Sequence, residues 1–562
     1  MPDYVALHWN VDCEVSHRIG WVQRAISQDE TWRLAIDEPG RLVAVSAPAA
    51  LNVRRMSDGA VVIGDVFARD GGDPSWPPGG AAGFPAVCRT LVEEAWGRYV
   101  ALGPPEAGRA AVLRDPMGGL ECITFDAAGA QVVASTLPDW LIVGLSPKLS
   151  IDWSFLHRQF GRRGIAGGAA LWGAQALAPG EYLDTVGKGK MLWLPADIAR
   201  RGPTADETLV GLVDMCIKAL TSGRRVLTEV SGGFDSAVVA SALGAIPSSR
   251  EGPDLINYHT EEIEGDERAY ARLVADRTGL NLIERRKPEF AFDEASLREF
   301  SGAVGPAIWG VDARYDRDVA DQCRALGADA ILSGKGGDSV FFQMPTPMVF
   351  ADRLRSRGLA SLTEPILPIV ARWTRRSVWS VLGSALFCDV TGRRVSDHPW
   401  LSEISDLPPG KRLHLRSLTQ CLSFAGPSRR ASAAHFIHPL LAQPVVEHCL
   451  SRPSFELTQG RRDRAYARTC FEARLPPEIT WRHGKGDATA HFGRAVAAHL
   501  QFLRSYLLEG LLATQGVLDR RRLERSLSLD RLIWSGGAGD VLQAAAMEGW
   551  ARGWERRLRT SA

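Results

Sequence analysis

Several things that would settle the class of this chain at once are missing from it. Its nine cysteines (Cys13, Cys88, Cys122, Cys216, Cys323, Cys388, Cys421, Cys449, Cys470) are scattered over 562 residues and form no CxxC pair. That argues against a zinc site or a disulfide framework and for buried, reduced thiols. No uninterrupted apolar run is long enough to span a bilayer. The opening MPDYVALHWN has neither a basic n-region nor an apolar h-region, so a cytoplasmic protein with no membrane span is expected. Charge of one sign is lacking as well: 66 Lys+Arg against 65 Asp+Glu leave a net charge of +1. No global basic footprint marks a nucleic-acid partner. What remains is a globular composition, 45% hydrophobic, with length for two or more domains.

The most informative stretch is RRVLTEVSGGFDSAVVASAL, Arg224 to Leu243. A strand-like run, Val226 to Val230, meets a Ser231-Gly232-Gly233 turn, and a small-residue helix follows Phe234-Asp235-Ser236. Strand, glycine turn and helix N-terminus make an anion site: glycines admit a phosphate to the backbone N–H groups, and the helix dipole favours negative charge. Ser231 and Ser236 add hydroxyl donors, and Asp235 adds a hard oxygen for magnesium. No Gly-Lys-Ser/Thr follows, so this is not a Walker loop. A second string repeats the design: Ala330-Ile331-Leu332 runs into Ser333-Gly334-Lys335-Gly336-Gly337-Asp338. Ligands of open α/β sheets sit at the carboxyl ends of strands, so the two turns can face one nucleotide. A third stretch, Leu475-Pro476-Pro477 to Arg482-His483-Gly484-Lys485-Gly486, reads as a helix stop, a short extended segment and a flexible loop carrying Lys485.

The chain up to about Arg201 reads as β-rich: Tyr4–His8, Leu42–Val45, Val61–Ile63, Ala111–Leu113 and Val132–Ala134 are short apolar runs between turns. Two packed sheets follow. Arg201-Gly202-Pro203 is the expected linker. Thr204-Ala205-Asp206-Glu207 reads as a capping box opening a helix with Leu209, Val210, Leu212, Val213 and Cys216 on its apolar side. Leu255–His259 is a second strand, and the helix after Gly265-Asp266-Glu267 buries Tyr270, Leu273, Val274 and Leu280. Pro365 and Pro368 argue against a regular helix over Leu362–Val370. Val378–Phe387, His414–Ser423 and Arg429–Phe436 read as helical. His435 and His438 read as packing or capping groups, and Arg461-Arg462-Asp463-Arg464 as either a cleft segment or a solvated face. The tail beyond Ala495, with Leu500, Leu503, Leu507 and Leu511, reads as helical packing for the C-terminal domain.

SGGFDS resembles the pyrophosphate-binding loop of the ATP pyrophosphatases. The Ser-Gly-x-Gly-x-Asp string resembles the second nucleotide motif of the asparagine synthetases. Gly64-Asp65-Val66-Phe67, Leu113-Arg114-Asp115-Pro116-Met117-Gly118, Ala134-Ser135 and Leu177-Ala178-Pro179-Gly180 with Trp193-Leu194-Pro195 resemble the glutaminase-like half of class B asparagine synthetases. His438-Pro439-Leu440-Leu441 and Pro444–Glu447 resemble a further segment of that family, with Ala442 where Asp is common. The resemblance implies α+β and α/β architecture: a glutaminase-like (Ntn-type) two-sheet domain over 1–203, and an ATP-pyrophosphatase-type synthetase domain with many helices over 204–562. Active glutaminases carry Cys after the initiator Met, whereas this chain has Pro2, and Cys13 lacks a free α-amine, so glutamine hydrolysis is not expected.

Within that family the chain most resembles the lasso-peptide macrolactam cyclases. The resemblance implies ATP and Mg2+ as cofactors. Nucleotide contacts fall on Val230, Ser231, Gly232, Gly233, Asp235, Ser236, Leu332, Ser333, Gly334 and Gly337, and magnesium on Asp235 and Asp338. Lys485, Lys335 and Glu267 are the catalytic candidates, although Lys335 stands where asparagine synthetases have Glu and β-lactam synthetases Tyr, so phosphate contact, base and solvent-facing group all stay open for it. The implied reaction adenylates an Asp or Glu side chain of a precursor peptide. The core N-terminal amine then closes a macrolactam, releasing AMP and pyrophosphate. A leader-binding protein and a leader peptidase are the implied partners. The alternatives are a β-lactam synthetase-like ligase acting on a small molecule, a tRNA-modifying pyrophosphatase, and a non-catalytic nucleotide scaffold.

Overall fold

The structure is a computed structural model and describes residues 3–11, 15–47, 51–73, 83–161, 167–203, 207–247, 252–261, 265–298, 303–306, 311–387, 398–424, 426, 428–459, 462–482, 488–534 and 538–560. Pro2, Cys13, Thr204–Asp206, Cys388, Arg461 and the His483–Gly486 loop with Lys485 lie outside them.

The N-terminal elements build two antiparallel six-stranded sheets. The first runs Gln175–Ala176, Ile123–Ala127, Ala130–Ala134, Tyr4–Trp9, Arg41–Ser46, Trp32–Glu38. The second runs Gly189–Met191, Glu181–Leu183, Val112–Arg114, Ala95–Leu102, Val61–Ala68, Val53–Arg55. Strand alternation sorts their side chains into layers. Tyr4, Ala6, Val43, Val45, Ile63, Val100 and Val112 meet between the sheets. Val5, Leu7 and Trp9 face outward under helices Ser16–Gln28 and Asp139–Leu145, and Val62, Tyr99 and Leu113 lie under helix Phe84–Glu93. The result is a helix–sheet–sheet–helix sandwich, the expected two-sheet architecture.

From Leu209 onward the chain forms a five-stranded parallel sheet ordered Asn281–Arg286, Asp254–His259, Val226–Glu229, Ala330–Leu332, His435–Ile437. The chain winds outward from the central Val226–Glu229 strand in one direction, then crosses back to Ala330–Leu332 and continues in the other. The topological switch point therefore falls between those two strands.

Several expectations are corrected. Helix Leu209–Thr221 is capped by Thr208, whose side chain accepts from Gly211 N at 3.1 Å, rather than by Thr204. Residues Ile366–Thr374 are helical: Pro365 caps the helix and Pro368 sits in its first turn, where a missing N–H costs nothing. The predicted helix over Arg429–Phe436 ends at Ala433, and His435–Ile437 is the sheet's edge strand. Residues Pro477–Thr480 form one helical turn instead of an extended segment. The C-terminal helices pack against the N-terminal sandwich. Gln543 Nε2 donates to Gln159 O at 3.1 Å, Arg557 pairs with Asp139 at 2.9 Å, and Trp550 shares an apolar cluster with Val5 and Leu141. The seven cysteines among the described residues are free, six of them buried.

Candidate active site

Strand Val226–Glu229 delivers Val230 to the carboxyl edge of the sheet. There its N–H donates to Ile256 O at 2.9 Å, and its carbonyl accepts from Asn257 Nδ2 at 2.6 Å. Gly232 turns the chain at φ +69°, and a Cβ there would meet Glu267 Oε2 at 2.9 Å. Helix Phe234–Gly244 begins at Gly233 without a capping side chain, and its dipole favours an anion at that end. Ser236 Oγ closes the loop, accepting from Ser231 N at 3.2 Å and donating to Gly233 O at 3.1 Å.

The second glycine turn leaves the adjacent strand and presses on the first. A Cβ on Gly334 would lie 2.4 Å from Ser236 N, and one on Gly337 would lie 2.7 Å from Asp235 Cγ. A side chain at Gly334 would have to displace the backbone of the first turn, and one at Gly337 would have to displace the side chains of Asp235 and Leu440. Ser333 is buried, its hydroxyl 2.9 Å from His438 Nδ1, and Leu332 is fully buried in the strand.

Asp235 accepts from Arg464 Nη1 at 2.6 Å. Arg464 has a left-handed backbone, φ +52°, and its N–H donates to the carbonyl of Phe342, itself at φ +64°. Two non-glycine residues in that region together store a few kcal/mol of strain, held at this point of the fold. Burial draws the Arg464 pKa down, but Asp235, Asp463 and Asp338 more than reverse it. Asp338 thus shares the electrostatic surroundings of Asp235; it is exposed, and one oxygen accepts from Ser339 N at 2.9 Å. Among the described residues no cluster of three or more His, Cys, Asp or Glu could hold a metal. Mg2+ bound beside phosphates asks for only one or two carboxylates, a number that Asp235 and Asp338 meet.

Glu267 forms a bidentate pair with Arg482, Oε1 to Nη2 at 2.8 Å, its second bond running from Arg482 Nη1 to Oε2. The same Nη1 donates to Gly232 O at 3.2 Å, and the guanidinium lies 3.7 Å from the Tyr270 ring centroid. Arg482 therefore ties the first glycine turn to the Pro477–Thr480 segment, three residues before Lys485. Asp266 turns away and pairs with Arg268 at 2.7 Å.

Lys335 N donates to Ser333 Oγ at 3.3 Å, while its ammonium lies 5.2 Å from the Phe436 ring and 5.7 Å from Phe424. Burial, and then the Arg430 guanidinium, lower its pKa to about 8 against the opposing pull of Glu229 and Asp316. Its side chain points into an aromatic pocket rather than to solvent. His438 sits between the same two rings, and His435 lies against Arg98, so both histidines pack as expected. The sequence leaves the Arg461–Arg464 segment open between a cleft segment and a solvated face, and Arg461 lies outside the described residues. The structure buries Arg462 and Arg468 and sets Arg464 on Asp235, while Arg468 Nη1 donates to Thr480 O at 2.8 Å.

The fold is thus a two-sheet sandwich joined to a doubly wound α/β domain whose glycine turns converge at the switch point. The asparagine synthase family matches residues 208–552, and the chain belongs to that family. It is 21% identical over 286 residues to the Microcin J25-processing protein McjC of Escherichia coli, covering 50% of this chain and spanning about half, 52%, of that relative. Two solved structures also align. One is described as the allosteric regulatory enzyme of purine biosynthesis (11% identity, TM-score 0.22, 59% of this chain and 89% of that one). The other is glutamine phosphoribosylpyrophosphate amidotransferase from B. subtilis (12%, TM-score 0.20, 59% and 90%).

Proposed function

We propose that the chain is an ATP-dependent carbon–nitrogen ligase that closes an amide within a peptide. It activates a carboxylate at the cost of ATP, with AMP and pyrophosphate released, and an amine then takes the acyl group. The observation that carries this reading is the contact between the two glycine turns, where Gly334 and Gly337 lie against Ser236 and Asp235 with no room for a Cβ. Two backbone loops held that closely at one switch point suit a polyphosphate better than a side-chain-lined pocket does. Val230, Ser231, Gly232, Gly233, Ser236, Leu332 and Ser333 shape the cradle. Asp235 and Asp338 would hold Mg2+, which would neutralise phosphate charge when bound. Lys485, three positions after Arg482 in the chain, would stabilise charge that builds as pyrophosphate leaves. The Lys335 ammonium faces the Phe424 and Phe436 rings, and Glu267 is assigned the role of holding Arg482.

Family membership supports ATP and amide formation, and likeness to a microcin-processing protein supports a peptide substrate, with a leader-binding protein and a leader peptidase as partners. The test is mass spectrometry of precursor peptides incubated with the protein and ATP. The expected product is a peptide lighter by one water, formed with equimolar AMP and pyrophosphate. ATP consumption only with a small β-amino acid would shift the reading to a β-lactam synthetase-like ligase.

A further inference from the structure

The segment Met348–Phe387 lies apart from the cradle and carries an unusual surface. Its last helix, Val378–Phe387, is SVWSVLGSALF without its leading serine, with no charged residue in it. One face is used internally: Val381 is fully buried, and Leu382 and Ala385 pack against the core. The opposite face is apolar too. Trp379, Gly383, Leu386 and Phe387 recur at helical spacing, with Trp379 79%, Leu386 57% and Phe387 84% exposed. On the adjoining turn Leu359 is 78% and Leu362 41% exposed. A helix apolar on both faces has a second face that something should cover.

The charges around it say what. The segment holds six arginines against two carboxylates, in a chain of net charge +1. Asp352 is buried, accepting from Gly410 N at 2.7 Å and Ser454 Oγ at 2.5 Å. Glu364 is paired with Arg353 at 2.7 Å. Arg355, Arg357, Arg372, Arg375 and Arg376 are exposed, and Arg355, Arg372, Arg375 and Arg376 make no ion pair among the described residues. Neither carboxylate of the segment is exposed to offset them.

We propose that this face is an interfacial membrane-binding surface that seats on anionic lipid headgroups. Trp379, Leu386 and Phe387 project their apolar side chains into solvent, a form suited to insertion at the headgroup level. The arginine border has one sign, as attraction to an anionic leaflet requires. No helix among the described residues is long and apolar enough to cross a membrane, so the protein would lie on the surface. This inference does not depend on the reaction proposed above.

The test is co-sedimentation of the full chain with phosphatidylcholine vesicles, with and without phosphatidylglycerol. Binding to the anionic vesicles, weakened by salt, is expected. The double variant Arg372→Gln/Arg376→Gln should bind those vesicles roughly tenfold to thirtyfold more weakly. Trp379→Ser/Phe387→Ser should weaken binding at all salt concentrations. All four positions are exposed, so unchanged thermal transitions are expected and separate lost binding from lost fold. No binding by the wild-type chain, or binding that both double variants retain, overturns the proposal. Dimerisation abolished by Trp379→Ser/Phe387→Ser without vesicle binding would instead assign the face to a second copy.

Discussion

In the proposed reaction Lys485 has the role of stabilising the charge that builds on the phosphates. Arg482, three positions before it, is bonded to the first glycine turn and to Glu267. If the ammonium acts only on charge that develops during reaction, Lys485→Ala should bind ATP normally and lose about 10²- to 10³-fold in turnover. Lys485→Arg should not restore it fully, because a planar fork replaces a point charge. Quenched-flow product assays beside equilibrium ATP binding check both statements; unchanged turnover would place Lys485 on the surface. Lys335 behaves differently. Its folded pKa, about 8, lies below the ordinary 10.5, so between those values the unfolded chain holds a proton that the folded chain has released. Stability from this group therefore rises with pH across that window. Lys335→Met should flatten the rise, as read from urea midpoints taken across it.

Among elements, the Glu267–Arg482 pair couples the helix Arg268–Thr278, the first glycine turn and the Pro477–Thr480 turn. Both side chains are mostly buried, so removing one partner strands the other charge. Glu267→Gln and Arg482→Ala should each reduce turnover by tenfold or more, and the double variant should be no worse than the poorer single one. Strict additivity in that cycle would mean that the two act separately.

The two glycine turns were legible in the sequence because strand, turn and helix are adjacent in the chain and glycine announces the close approach. Arg464 was not. Its bond to Asp235 spans 229 residues and depends on a left-handed backbone that no neighbouring residue signals. The His435–Ile437 strand was hidden for another reason: three residues give no period, and their partner Ala330–Leu332 lies a hundred positions earlier. Pro368 misled because a proline in a first turn and one in mid-helix look alike until the helix start is known.

At the scale of the whole molecule, the sandwich and the α/β domain are joined by polar clusters that draw side chains from both halves. Asp65, in the Gly64–Phe67 strand segment, pairs with Arg98 at 3.0 Å and with Arg224 at 2.9 Å, just before the central strand. Arg98 in turn reaches the Phe436 carbonyl at 3.3 Å and His435 Nδ1 at 3.4 Å. Glu447 accepts from Arg69 at 2.8 Å and from Trp193 Nε1 at 2.8 Å. The sandwich thus serves as the floor of the synthetase sheet. Burial, with Arg98 and Arg224 beside it, pushes the His435 pKa down to about 3. Below the ordinary 6.5 the unfolded chain takes up a proton that the folded chain refuses. Stability should therefore fall as pH drops from 6.5 towards 3, by up to about 1.4 kcal/mol per pH unit. His435→Gln should remove that slope; an unchanged acid profile would show that the cluster is not closed in solution.

The central claim is that two turns from adjacent strands make one nucleotide cradle. Calorimetric titration of Mg–ATP into wild-type protein, Gly334→Val and Asp235→Asn tests it without knowledge of the acceptor. Saturable binding by the wild-type chain is expected. Gly334→Val should lose it, because the added side chain pushes the turns apart. Asp235→Asn should bind more weakly and lose its magnesium dependence, with the fold intact by circular dichroism. Wild-type affinity in Gly334→Val would contradict the account, because the turns would then be neighbours and not a site.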